Sequence, residues 1–86
     1  MKDIIRKLET VVLRRCDEEK IRSFSNIQVN YGVKKAKFSV KVAFDGCAFT
    51  GEGDTIHKGI QKALESAEDC GCLVMDKLGA QFHAFN

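Results

Sequence analysis

Residues 36–64, AKFSVKVAFDGCAFTGEGDTIHKGIQKAL, constrain the fold of this chain more than any other stretch, because they read as a β-hairpin that runs directly into an amphipathic helix. The Asp45-Gly46 pair suits a two-residue type I′ turn. Folding about that pair sets Phe44 opposite Cys47, Val42 opposite Phe49 and Val40 opposite Gly51, all on one face. Lys37, Ser39, Lys41 and Ala43 then share the other face with Ala48, Thr50 and Glu52, so a single register separates apolar from polar on both strands. After Gly51-Glu52-Gly53, Asp54 or Thr55 can cap a helix with Ile56, Ile60, Ala63, Leu64 and Ala67 as its buried stripe. Lys58, Lys62, Glu65 and Asp69 form its wet side, and Gly71 is its stop.

Upstream, Ile4, Ile5, Leu8, Val11, Val12 and Cys16 fall within one arc of a helical wheel, with Lys2, Asp3, Arg6, Lys7, Thr10 and Arg14 outside it. The pattern predicts a first helix with one buried face. Arg15 would enter the middle of that arc, so the helix is expected to kink or break near 15–17, with Asp17-Glu18-Glu19 starting a further turn that carries Ile21. Residues 23–26 then read as a linker. Ile27, Val29 and Tyr31 alternate with Gln28 and Asn30 as a first strand ending at Gly32, and a turn at 32–35 leads into the hairpin. The tail, Leu73-Val74-Met75 and then 80–85, is apolar enough to add a further strand or short hairpin. The expected fold is therefore α+β, in the order α-β-β-β-α. Its three-stranded antiparallel sheet carries both helices on one face, with an additional C-terminal strand or hairpin.

The 86 residues suffice for one domain spanning 1–86, which would bury about 60–65% of the unfolded chain's surface and leave little room for a deep enclosed active site. No apolar run approaches the roughly 18 residues that cross a bilayer, and MKDIIRKLETVV mixes charge with apolar groups and never forms a signal-peptide core. The expectation is a cytoplasmic protein with no membrane partner. Its four cysteines, Cys16, Cys47, Cys70 and Cys72, would then be reduced thiols. The net charge of +2 hides an asymmetry: residues 1–37 hold ten Lys/Arg against five Asp/Glu, and residues 38–86 hold four against seven. The basic half is the candidate for an anionic partner, against the plainer account of a solvated, incidentally charged surface.

The order of elements over about residues 2–69 resembles the double-stranded RNA-binding domain. The local matches are Gly32 before a basic turn, the strand KFSVKV, and Gly51-Glu52-Gly53 just ahead of the second helix. In that family the turn between the first two strands enters the RNA minor groove, and basic residues at the start of the second helix contact phosphates. By position, the resemblance implies turn contacts from Lys34, Lys35 and Lys37 and phosphate contacts from His57 and Lys58. The family's lysine cluster at that helix is reduced here to one lysine, within Ile56, His57, Lys58, Gly59 and Ile60. EGDTIHKGIQKALES is also similar to the strand-strand-helix part of ribosome hibernation factors. More loosely, a very small, proline-free α+β chain without site chemistry is similar to phage-encoded inhibitors such as anti-CRISPR proteins, which cover a partner's surface and need no reactive residue.

The remaining residues offer no catalytic set. Cys70-Gly71-Cys72 has C-x-C rather than C-x-x-C spacing, and a zinc site would have to recruit ligands from Cys16, Cys47, His57 or His83. Structural thiols are the simpler account, and neither metal nor cofactor is expected. No pattern places His57 or His83 beside a cysteine as a catalytic base, and Asp45 and Asp54 have turn and cap duties, so an enzyme is not expected. Phe82 and Phe85 either close the core or leave one ring exposed as a protein anchor. Two functions follow as expectations: a non-catalytic module for structured RNA or a ribonucleoprotein, or a phage-type inhibitor or adaptor that binds a protein target. Open sheet edges also give a route to a homodimer.

Overall fold

The computed structural model describes residues 2–15 and 20–76. Its elements run α1 (Lys2–Glu9), β1 (Val11–Arg15), β2 (Ile21–Gly32), β3 (Lys37–Phe44), β4 (Cys47–Gly53), α2 (Ile56–Asp69) and β5 (Cys72–Asp76). The five strands form one antiparallel sheet in the order β4-β3-β2-β1-β5. The α+β class matches the sequence expectation, but the three-stranded sheet with both helices on one face does not. α2 lies across β3 and β4 and reaches β5, whereas α1 leans against β2.

The hairpin predicted from its alternation is present in the predicted register, with Phe44 paired to Cys47, Val42 to Phe49 and Val40 to Gly51. Val40, Val42 and Phe44 are buried, while Lys41 and Thr50 are exposed on the opposite face. The turn is not type I′, however. That class needs positive φ at both central residues, and only Gly46, at φ 85°, has it. Tertiary contacts fix the peptide: the Asp45 N–H donates to the Ser23 carbonyl at 3.1 Å, and Arg22 Nη1 donates to the Asp45 carbonyl at 2.5 Å. Both groups belong to β2, so the neighbouring strand holds the hairpin tip.

The first helix is shorter than the helical wheel predicts. It ends at Glu9, where both the backbone N–H and the hydroxyl of Thr10 donate to the Lys7 carbonyl. Val11, Val12 and Leu13 continue as a strand and all three are buried. β1 sits between β2 and β5, and a central strand with little solvent on either side reads as a continuous apolar run without alternation. The β-branched pair Val11-Val12 favours that conformation. Residues 23–26, expected as a linker, lie inside β2, whose register shifts between Phe24 and Asn26. Ile21, Arg22 and Ser23 pair with β1 and Phe24 onward with β3, so the sheet changes partners and bends immediately beside this irregularity. Ile21 belongs to β2 rather than to a helical turn, and Cys16, Asp17, Glu18 and Glu19 lie outside the described residues. The β2–β3 turn occupies 33–36, one residue later than expected, with Ala36 at φ 51°.

α2 follows its sequence signals closely. Thr55 is the N-cap, its hydroxyl accepting from the Lys58 N–H at 3.1 Å. Gly71, at φ 86°, follows the C-cap residue Cys70. Ile60, Ala63, Leu64 and Ala67 are buried as predicted, joined by Gly59, with Ile56 partly buried beside the core. Helix and sheet touch backbone to backbone. A Cβ on Gly51 would lie 2.3 Å from both Ala63 N and the Gly59 carbonyl oxygen, and one on Gly59 would lie 2.4 Å from Val40 Cγ2. The core joins Ile4 and Leu8 of α1, Val11 and Leu13 of β1, the inner residues of β3, the α2 stripe, and Cys72 and Val74 of β5. Leu73-Val74-Met75 thus adds a strand, at the sheet edge beside β1.

Candidate functional site

The β2–β3 turn and the start of α2 meet at one end of the sheet. Gly32 pairs with Lys37, and Phe38 in the next row pairs with Gly53, two residues before the Thr55 cap. Lys34 and Lys35 stand on the turn, and Lys37 opens β3 on the face away from the core. A shallow concavity lined by Gly32, Val33, Lys34, Lys35, Lys37, Ser39 and Glu52 occupies this corner. A second, lined by Lys37, Glu52, Gly53, Asp54, Lys58, Gln61 and Lys62, continues around the β4 edge onto α2. The two share Lys37 and Glu52. The expected residues Lys34, Lys35, Lys37 and Lys58 therefore lie along one strip, although they come from two segments some twenty residues apart. His57 is exposed in the first turn of α2 but lines neither concavity.

Lys62 extends the strip and was not singled out as a site residue from the sequence. Its signal was present, since it falls one turn after Lys58 on the wet side of α2. The strip carries five lysines against the carboxylates of Glu52 and Asp54. Lys58 Nζ sits 3.5 Å from Asp54 Oδ2, and Lys62 Nζ sits 3.4 Å from Glu65 Oε2. The Lys58 and Asp54 side chains are 61% and 72% exposed. Pairs this open contribute only about 0.2–1 kcal/mol, so an incoming phosphate can take over the ammonium groups at little cost.

Two further surface features emerge from the topology. Beside the lysine turn, Tyr31 is 52% exposed and Val33 82% exposed. On the outer face of the other half of the sheet, Ile21, Arg14 and Leu73 form one cross-strand row, with Ile21 55% and Leu73 47% exposed. That row needs β5 beside β1, a pairing of distant segments with no local signature. Among the described residues, no group of three or more His, Cys, Asp or Glu is placed to hold a metal ion. Cys72 is buried, Cys47 partly buried and Cys70 exposed. No described helix is long and apolar enough to cross a membrane. Phe82, His83 and Phe85 lie outside the described residues. No family model, curated protein or solved structure matches this chain.

Proposed function

We propose that this protein is a non-catalytic binding module that recognises the phosphate backbone of structured RNA, free or within a ribonucleoprotein. The observation that carries the reading is the lysine strip: Lys34, Lys35 and Lys37 share a surface with Lys58 and Lys62 around Glu52. A row of ammonium groups on flexible stems attracts a polyanion and tolerates variation in its sequence. The module acts in the cytoplasm, where the thiols of Cys47, Cys70 and Cys72 would stay reduced.

The test is fluorescence anisotropy with a labelled RNA duplex of about 20 base pairs. If three or four phosphates are neutralised, raising salt from about 50 to about 200 mM weakens binding by about 40- to 150-fold. A Lys34/Lys35/Lys37→Ala variant should bind much more weakly and show a salt slope shallower by about 2 to 3. Absence of binding at the lower salt, by the duplex and by a hairpin with an unpaired loop alike, overturns the reading.

A second reading, a phage-type inhibitor or adaptor that covers a protein partner, draws on the Ile21-Arg14-Leu73 row, where two large apolar side chains flank a cation in solvent. Here Leu73→Asp would abolish partner capture and leave RNA binding unchanged. Among the described residues β4 and β5 are the edge strands, a route to self-pairing. Light scattering during size exclusion reads that directly.

A further inference from the structure

We infer that Tyr31 is a stacking platform for an unpaired base, so that the RNA recognised by the lysine strip is looped or single-stranded where it crosses the β2–β3 turn. The inference rests on the phosphate-binding reading above and adds a base contact to it. Tyr31 is the last large side chain of β2 before the turn, and its register partner is Phe38. The two rings stand 4.9 Å apart, tilted by 60°. Phe38 packs against the core, which braces Tyr31 from one side. The other side is open: Tyr31 is 52% exposed, whereas Phe44, which closes the core on the same strand face, is 3% exposed. A ring held by a neighbour and open on one face suits stacking, because little side-chain freedom is lost when a base settles on it.

Position ties the ring to the lysines. The Tyr31-Phe38 row adjoins the Gly32-Lys37 row, about 3.3 Å along the strand, and the tip beyond it carries Lys34 and Lys35. Gly32 has no side chain to stand between them, and Val33 adds apolar surface at the tip. Tyr31 projects to the core side of the sheet and Lys37 to the outer side, so a strand passing over the turn can keep phosphates on the lysines while one base turns inward onto the ring. A base paired and stacked within a duplex cannot make that move; one in a loop can, without first being unpaired.

The chain contains one tyrosine and no tryptophan, so tyrosine emission reports Tyr31 alone. The experiment titrates the protein with a hairpin RNA carrying a uridine loop, with the same stem as a blunt duplex, and with inorganic polyphosphate, following anisotropy and tyrosine emission in parallel. The expected result is quenching by the hairpin and none by polyphosphate. Tyr31→Leu should weaken hairpin binding by about 5- to 150-fold, with polyphosphate binding unchanged and Tyr31→Phe close to wild type. Circular dichroism of Tyr31→Leu checks that the sheet persists. Hairpin binding without quenching, with Tyr31→Leu within twofold of wild type, overturns the stacking inference and leaves the lysine strip standing. If neither RNA binds at low salt, the strip reading fails and the stacking inference falls with it.

Discussion

Adding one methyl group at Gly51 tests the closeness of helix and sheet. A Cβ there would lie 2.3 Å from two backbone atoms of α2 and 2.7 Å from a third, the Lys62 carbonyl carbon, none of which can rotate away. To restore ordinary contact α2 must lift by about 1 Å, a gap that forfeits a quarter to a half of the dispersion attraction along its buried stripe. Overpacking typically costs 1–3 kcal/mol, and a rigid backbone obstacle places Gly51→Ala at the upper end, about 3 kcal/mol. Alanine recovers about 0.5–1 kcal/mol by losing less backbone entropy than glycine in a strand. The net expectation is a loss of about 2 to 2.5 kcal/mol. That is a large part of the roughly 4–13 kcal/mol that stabilises a domain of this size. In urea, with a slope near 1 kcal/mol per M, the unfolding midpoint followed by circular dichroism should fall by about 2 to 2.5 M with the slope unchanged. Gly71→Ala is the control: its φ is 86° but nothing lies within 4 Å of the added Cβ. It should cost only the left-handed strain of about 1 kcal/mol. A Gly51→Ala midpoint within about 0.3 M of wild type would refute the argument that α2 rests directly on β4.

Ala36 occupies the left-handed region at φ 51° in the β2–β3 turn, so Ala36→Gly should raise stability by about 1 kcal/mol in the same urea assay. Thr55→Ala removes the acceptor for the Lys58 N–H and should cost about 1 kcal/mol, read as a lower thermal midpoint. Replacing Asp54 with Asn keeps the side-chain shape but frees Lys58 from its carboxylate neighbour; RNA affinity at low salt should rise about twofold to fivefold, with the gain fading as salt screens the strip. Arg22→Met deletes the donor to the Asp45 carbonyl at the β3–β4 tip and should cost about 1 kcal/mol, with faster amide exchange at Asp45 and Gly46 than elsewhere in the hairpin.

The β3–β4 register, the cap and stop of α2 and its buried stripe could all be read from residues 36–71, because neighbours in sequence are neighbours in space there and the alternation of side chains alone selects the pairing. The lysines at 34, 35, 37 and 58 were also visible, since charge and turn position are local properties. Several features depended on contacts between distant segments. The helical arc through Ile4, Ile5 and Leu8 continues by coincidence into Val11 and Val12, which tertiary packing assigns to a strand between β2 and β5. That strand pairs Val11 with Asp76, and no local signal carries a pairing across so long a loop. The same packing turned the expected linker into the bend of β2 and changed the class of the Asp45-Gly46 turn through contacts with Ser23 and Arg22. It also gathered two lysine-bearing segments into one strip, with Lys62 and Tyr31 beside residues already expected there. Sequence determined which segments could be hairpin and helix, because propensity, period and turn chemistry act within a few residues. Only the tertiary structure decided how the sheet was completed and which charges meet, because burial is shared among segments that the chain keeps far apart.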